Sequence, residues 1–170
     1  MALTTYPEAG ATRRGPLPAG YRHLRYRTRV GAGATAFAGA VEAVLSWRMH
    51  EAMGVPVRAD APRAAPGVSV STRPGLGPFR MDAPCVVVWT EEGERRGGFG
   101  YGTVTGHPLR GEEAFVVTRD ADGVVWLEVV AFSRAVRWWV WLAGPLLPLF
   151  QRFYARRCGA ALRRLTTARR

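Results

Sequence analysis

The chain of 170 residues contains no lysine, no isoleucine and no asparagine. The codons of those three residues are AT-rich, so their joint absence points to a GC-rich genome. All 24 basic residues are therefore arginine. Cysteine is scarce: Cys85 sits in an apolar strand-like run and Cys158 in a helix-like one, with no paired spacing. That excludes a disulfide framework and a metal knuckle. A reducing cytoplasm is the expected compartment. Histidine is scarce too. His23, His50 and His107 are scattered without ligand spacing, so neither a metal nor a cofactor is expected. The start of the chain, Met1 to Glu8, has no charged segment followed by an apolar one and does not read as a signal peptide. Long apolar runs are missing as well. The one candidate, Trp138 to Phe150, is too short to cross a bilayer and carries Pro145 and Pro148.

What is present is enough for one domain with a real core, since 48% of the residues are hydrophobic. The net charge of +11 suits nucleic acid or a membrane surface, and equally a solvated surface inflated by composition. No recognised nucleic-acid motif supports the first of these, and no nucleic-acid partner is expected.

Residues 1–20, rich in Pro, Gly and Ala, read as a loosely held arm, and residues 21–170 as a single domain. Tyr21 to Val30 alternates, with Leu24, Tyr26, Thr28 and Val30 on one face and His23, Arg25, Arg27 and Arg29 on the other: a half-buried strand with a cationic outer face. Gly31 to Ala36 matches the dinucleotide fingerprint G-x-G-x-x-A. The strand before it is half arginine rather than a buried parallel one, so the glycines are read as a tight strand-to-helix turn. Ala34 to Met53 reads as one helix closed by Gly54, with Phe37, Val41, Val44 and Leu45 inward. Arg48 falls on that same stripe, Trp47 borders it, and His50 falls on the far, exposed side. Ala59 to Pro66 reads as a flexible loop that could flank an opening.

Strands follow at Val68 to Ser71, Leu76 to Met81, Pro84 to Glu91, Arg96 to Val104, Gly111 to Arg119 and Val124 to Ser133. In the fourth of these Gly98, Gly100 and Gly102 share one face and Phe99, Tyr101 and Thr103 the other. The bare face either bends the sheet or admits a close neighbour. Asp120 to Gly123 is a hairpin turn. Glu128, on an otherwise apolar strand, wants a partner such as Arg48. Arg134 to Arg164 reads as a long helix interrupted at Gly144-Pro145 and Pro148, with Trp138 near its start. Because no helix separates the late strands, the expected class is α+β: a curved antiparallel sheet wrapped around the C-terminal helix, with one N-terminal helix. Such a shape often leaves a cavity between sheet and helix.

Leu45 to His50, Tyr101-Gly102-Thr103, Gly106-His107-Pro108, Gly111 to Phe115 and Ala131 to Arg134 together resemble an uncharacterised bacterial and plant family, catalogued as domain of unknown function nineteen-ninety. Ala135 stands where that family's pattern has proline. The order of elements is also similar to the helix-grip superfamily of lipid-transfer proteins, plant allergens and polyketide cyclases. That second resemblance implies a hydrophobic-ligand cavity, and neither resemblance carries an activity.

Two functions from different classes follow. The first is binding of an apolar or aromatic small molecule between sheet and C-terminal helix, lined by Trp47, Arg48, Tyr101, Thr103, Phe115, Glu128 and Trp138. The second is an enzyme of the cyclase, lyase or hydrolase kind. There His107 and a carboxylate would form an acid/base pair, because histidine titrates near neutrality. Glu112 and Glu113 point to opposite faces of their strand. Glu113 shares a face with Phe115 and Val117 and is the inward candidate. A third possibility is contact between the basic, Trp-rich C-terminal helix and a membrane surface.

Overall fold

The computed structural model describes residues 3–73, 82–136 and 147–167. A short helix α1 (Ala11–Arg14) precedes strand β1 (Arg22–Ala32). Helices α2 (Gly33–Leu45) and α3 (Arg48–Ala52) follow. Then come β2 (Val57–Ala59), β3 (Ser69–Thr72), β4 (Ala83–Glu92), β5 (Arg96–Thr103), β6 (Leu109–Arg119) and β7 (Val124–Ala135), and the helix α4 (Leu147–Thr167) ends the described chain. The strands form one seven-stranded sheet in the order β1-β7-β6-β5-β4-β3-β2, antiparallel throughout. The expected α+β class is what the chain adopts: an antiparallel sheet packed on a long C-terminal helix.

Alternation decides which side of the sheet each residue occupies. Tyr101, Glu113, Ala131 and Leu24 are register partners in turn across β5, β6, β7 and β1, so they share the inner face. Phe99, Phe115, Val117, Leu127 and Val129 complete its apolar surface, all buried. Against it lie Phe37, Val41, Val44 and Leu45 of α2 and Ala155, Cys158, Ala161 and Leu162 of α4. The small residues of α4 let the helix come close. A Cβ on Gly159 would stand 2.4 Å from the Thr28 methyl of β1. Burying a side chain such as Leu162 is worth about 2–3 kcal/mol.

Three expectations about elements are corrected. The helix expected over residues 34–53 is two helices. Ser46 Oγ donates to the Glu42 carbonyl (2.6 Å), and Trp47 takes a left-handed conformation (φ 65°), so α2 stops and α3 restarts in a new phase. The restart moves His50 from the solvent side into the core, where it is fully buried. At the other end, β7 continues to Ala135, past the expected helix start. The described part of α4 begins at Leu147, and the residues that decide whether Pro148 interrupts a longer helix fall outside the described ones. The expected strand at Leu76 to Met81, and Trp138 with the Gly144-Pro145 break, fall outside the described residues.

The stretch read as a flexible loop is anchored. Arg63 reaches both Glu42 (3.0 Å) and Glu92 (2.7 Å), and Ala64 donates its N–H to Leu45. Gly33 (φ 85°) makes the tight strand-to-helix turn. The N-terminal arm is not loose either: it crosses the outer face of the sheet with Tyr6 3% and Thr12 7% exposed.

Candidate functional site

The inner face carries a cluster of polar side chains within the apolar core. Tyr101 and Glu113 are register partners on β5 and β6, and the Tyr101 hydroxyl donates to Glu113 Oε2 at 2.9 Å. Burial raises the Glu113 carboxyl to about 7, against the opposing pull of that hydrogen bond. Burial and the Glu113 charge together push the Tyr101 phenol well above its usual value. Tyr154 and Cys158 on α4 are raised by burial first, as is Cys85 on β4, and Glu113 adds to the shift in all three. The charge of one carboxylate is thus felt by β4, β5 and α4 together. His50 enters the same cluster from α3. Its ring lies edge-on to Phe115 (4.9 Å between centroids) and 6.5 Å from Tyr101, and burial lowers its pKa to about 4.

The sequence-predicted acid/base pair is not joined. Leu109 N–H donates to His107 Nδ1 at 2.9 Å, which fastens the imidazole to the β5–β6 turn. Burial lowers its pKa to about 4, partly offset by the Leu109 backbone. Among the described residues no hydrogen bond or ion pair links His107 to Glu112 or Glu113. Glu112 faces the opposite side of the sheet, beneath the arm. Its carboxylate accepts from Tyr6 Oη (2.7 Å), from the N–H groups of Gly10 (2.7 Å) and Thr12 (3.0 Å), and from the Thr12 hydroxyl.

The bare face of β5 explains how the arm fits. A Cβ on Gly102 would stand 2.1 Å from Tyr6 Oη, and one on Gly100 would stand 2.3 Å from Trp89 Nε1. Between Val87 and Trp89 an irregularity in β4 turns Trp89 outward over Gly100. The glycines admit close neighbours on this face.

The remaining candidates divide. Phe115 lines the inner cluster, and Trp47 packs edge-on to Phe99 (5.2 Å) with its Nε1 donating to Ala61 O. Thr103 is tied up at the end of β5. It accepts from Gly111 N–H (3.1 Å) and shares a hydrogen bond with the Thr5 hydroxyl (2.7 Å). Glu128 is on the outer face and pairs with Arg27 (3.3 Å), not with Arg48, because its strand register sets it beside β1. Arg48 opens α3, half-buried. Trp138 lies outside the described residues.

An open groove of about 530 Å³ runs along β2, β3 and the start of β4, where Val57, Ala59, Val70, Cys85 and Val104 give it an apolar lining with Arg58 and Asp60 beside them. None of the ligand-lining residues expected from the sequence is among its walls. Cys85 lines the groove, and its thiol is raised by burial first and then by the Glu113 charge. Among the described residues no group of three metal-ligating side chains converges.

Seven antiparallel strands closed over a long C-terminal helix define a Bet v1-like, helix-grip fold. Norcoclaurine synthase of Thalictrum flavum, as a point mutant in complex with a transition-state analogue, superposes with a TM-score of 0.63 at 10% identity, over 91% of this chain and 99% of that one. The same enzyme has been solved with dopamine and hydroxybenzaldehyde. Ara h 8.0201 superposes with a TM-score of 0.54 at 10% identity, over 88% and 99%. At such identities the likeness is one of fold. The protein belongs to the DUF1990 family, described as a domain of unknown function, whose model matches residues 5–161. A UPF0548 protein of Deinococcus radiodurans is 33% identical over 163 residues, covering 89% of this chain and 82% of that protein.

Helical periodicity places His50 on the exposed side, and the sequence alone does not mark Tyr154, Tyr6 or Thr12 as site residues. Nothing in the helical period signals the break at Trp47 that turns His50 inward. A signal for Tyr6 existed in the glycine face of β5, which needed an occupant.

Proposed function

We propose that the protein binds a small, largely apolar or aromatic molecule at the inner face of the sheet, with the Tyr101–Glu113 pair as its polar end. The observation that carries this reading is a half-buried carboxyl on the inner face, raised to about 7 by desolvation, hydrogen-bonded to one tyrosine and set among aromatic rings and cysteines. A structural core has little use for such a group, because burying it costs free energy that an apolar residue would not. A ligand with one hydrogen-bonding group and an apolar body would use it. The shared fold supports the same reading, since norcoclaurine synthase holds dopamine and hydroxybenzaldehyde.

A second reading is acid/base catalysis, favoured by the same carboxyl. A group titrating near 7 can both take and return a proton at physiological pH. In that version Glu113 acts with Tyr101, and His107 has no part. The test is a native mass spectrum of the protein purified from its own host. A bound molecule of defined mass supports the binding reading; protein that is empty from every preparation overturns it. Incubating the recovered molecule with the parent and with Glu113→Gln then separates carrier from enzyme, because only an enzyme consumes it and only the parent would do so.

A further inference from the structure

His50 is the residue that neither the packing nor the proposed binding pair explains. It is fully buried, yet neither Nδ1 nor Nε2 has a hydrogen-bond partner among the described residues. A buried polar atom without a partner is rare in folded proteins and costs stability. Its neighbours are Phe115, Phe99 and Tyr101, whose rings touch one another. A second, independent oddity sits three residues earlier. Trp47 is the one non-glycine residue with positive φ among the described residues, and bulky residues adopt that conformation only where the surrounding structure enforces it. The strain has a definite effect: it ends α2 and sets the phase of α3, which turns His50 to the sheet. A strained backbone that delivers an unpartnered imidazole beside a tyrosine–carboxyl pair is the pattern of a site rather than of a core.

We infer that His50 is a specificity-determining contact of the inner site, selecting uncharged apolar molecules that carry a hydroxyl or similar donor–acceptor group. This rests on the binding site proposed above and adds to it the polar chemistry of the guest. The reasoning is one of matching. A neutral imidazole offers one donor and one acceptor, and a hydroxyl both gives and takes a hydrogen bond. A site built around unpartnered polar atoms rejects an analogue that lacks the matching group, because those atoms then stay unsatisfied. Burial keeps the imidazole neutral at physiological pH. The ionisable group beside the imidazole is Tyr101, 6.5 Å away between ring centroids and neutral near pH 7.

The experiment uses p-cresol and toluene, two molecules of nearly the same shape that differ by a hydroxyl. Each is titrated into the full-length protein and followed by NMR. Thermal unfolding is measured alongside for the parent, His50→Phe and His50→Gln. The parent is expected to prefer p-cresol by about 10-fold or more. His50→Phe is expected to lose that preference, bind toluene at least as well, and unfold at a higher temperature, because two unsatisfied atoms are gone. His50→Gln, which keeps a donor and an acceptor, is expected to retain the preference in part. A preference that survives in His50→Phe overturns the inference while leaving the binding site standing. A lower unfolding temperature for His50→Phe, with unchanged binding, also overturns it, since the imidazole would then be held by ordered water as a structural group. Failure of the parent to bind either probe overturns the binding site itself, and the inference with it.

Discussion

Replacing Glu113 by glutamine should stabilise this protein above neutral pH and leave it unchanged in acid. The folded-state carboxyl titrates near 7 and the unfolded one near 4.5. Between those values the folded protein holds a proton that the unfolded chain has released. Stability must therefore fall as pH rises through that window, and the cost is complete above about pH 7. A difference of that size corresponds to about 3 kcal/mol at most. Glu113 is half-buried rather than sealed, so about 1–3 kcal/mol is expected. Glutamine keeps the shape and can still accept the Tyr101 hydroxyl, but it has no charge to bury.

The assay is urea unfolding of parent and variant, followed by tryptophan fluorescence at intervals from pH 4.5 to 8.5. The difference between the two curves cancels His50 and every other titrating group. It should be near zero at pH 4.5 and grow in the variant's favour until about pH 8. A flat difference, or a variant less stable at pH 8, would refute both the burial of this carboxyl and the case for a polar site on the inner face.

Three other substitutions test the geometry. Glu112→Gln should destabilise by about 2–4 kcal/mol in urea unfolding, because the buried N–H groups of Gly10 and Thr12 converge on a carboxylate that one amide oxygen cannot replace; a loss below about 0.5 kcal/mol would contradict the cage. Gly102→Ala should expel Tyr6, at about 1–3 kcal/mol, and expose the arm to limited proteolysis, whereas an arm that stays protected would mean the outer face has room to spare. His107→Ala should cost about 1 kcal/mol from the turn and leave ligand binding or turnover untouched. A large loss of function in that variant would restore the His107–carboxylate pair as the chemistry.

The strands of the sheet's centre were legible because their side chains alternate and their turns are spelled in Gly and Asp, as at Asp120 to Gly123. The inward direction of Glu113 was legible for the same reason, since parity along β6 fixes it once Phe115 is known to be buried. The break at Trp47 was not. It depends on a serine hydroxyl competing for a backbone carbonyl and on an indole anchored to Ala61, and neither leaves a mark on helical periodicity. Glu128 was misassigned because one face of β7 is apolar without being interior: Trp126 and Val130 lie on the outer side with it, and Arg27 was the partner rather than Arg48. The arm was misread because composition describes a segment's own flexibility, while its order is set by Gly102 and Glu112, a hundred residues away.

That separation has a consequence for how the chain reaches its fold. The contact between Tyr6 and Glu112 spans 106 positions, so the arm leaves the ribosome well before the strand that secures it. Until β6 has been made and paired, Tyr6 has no glycine face to lie on and Glu112 has no donors around it. The arm closes over strands that must already be paired, so its docking follows the joining of β5 to β6.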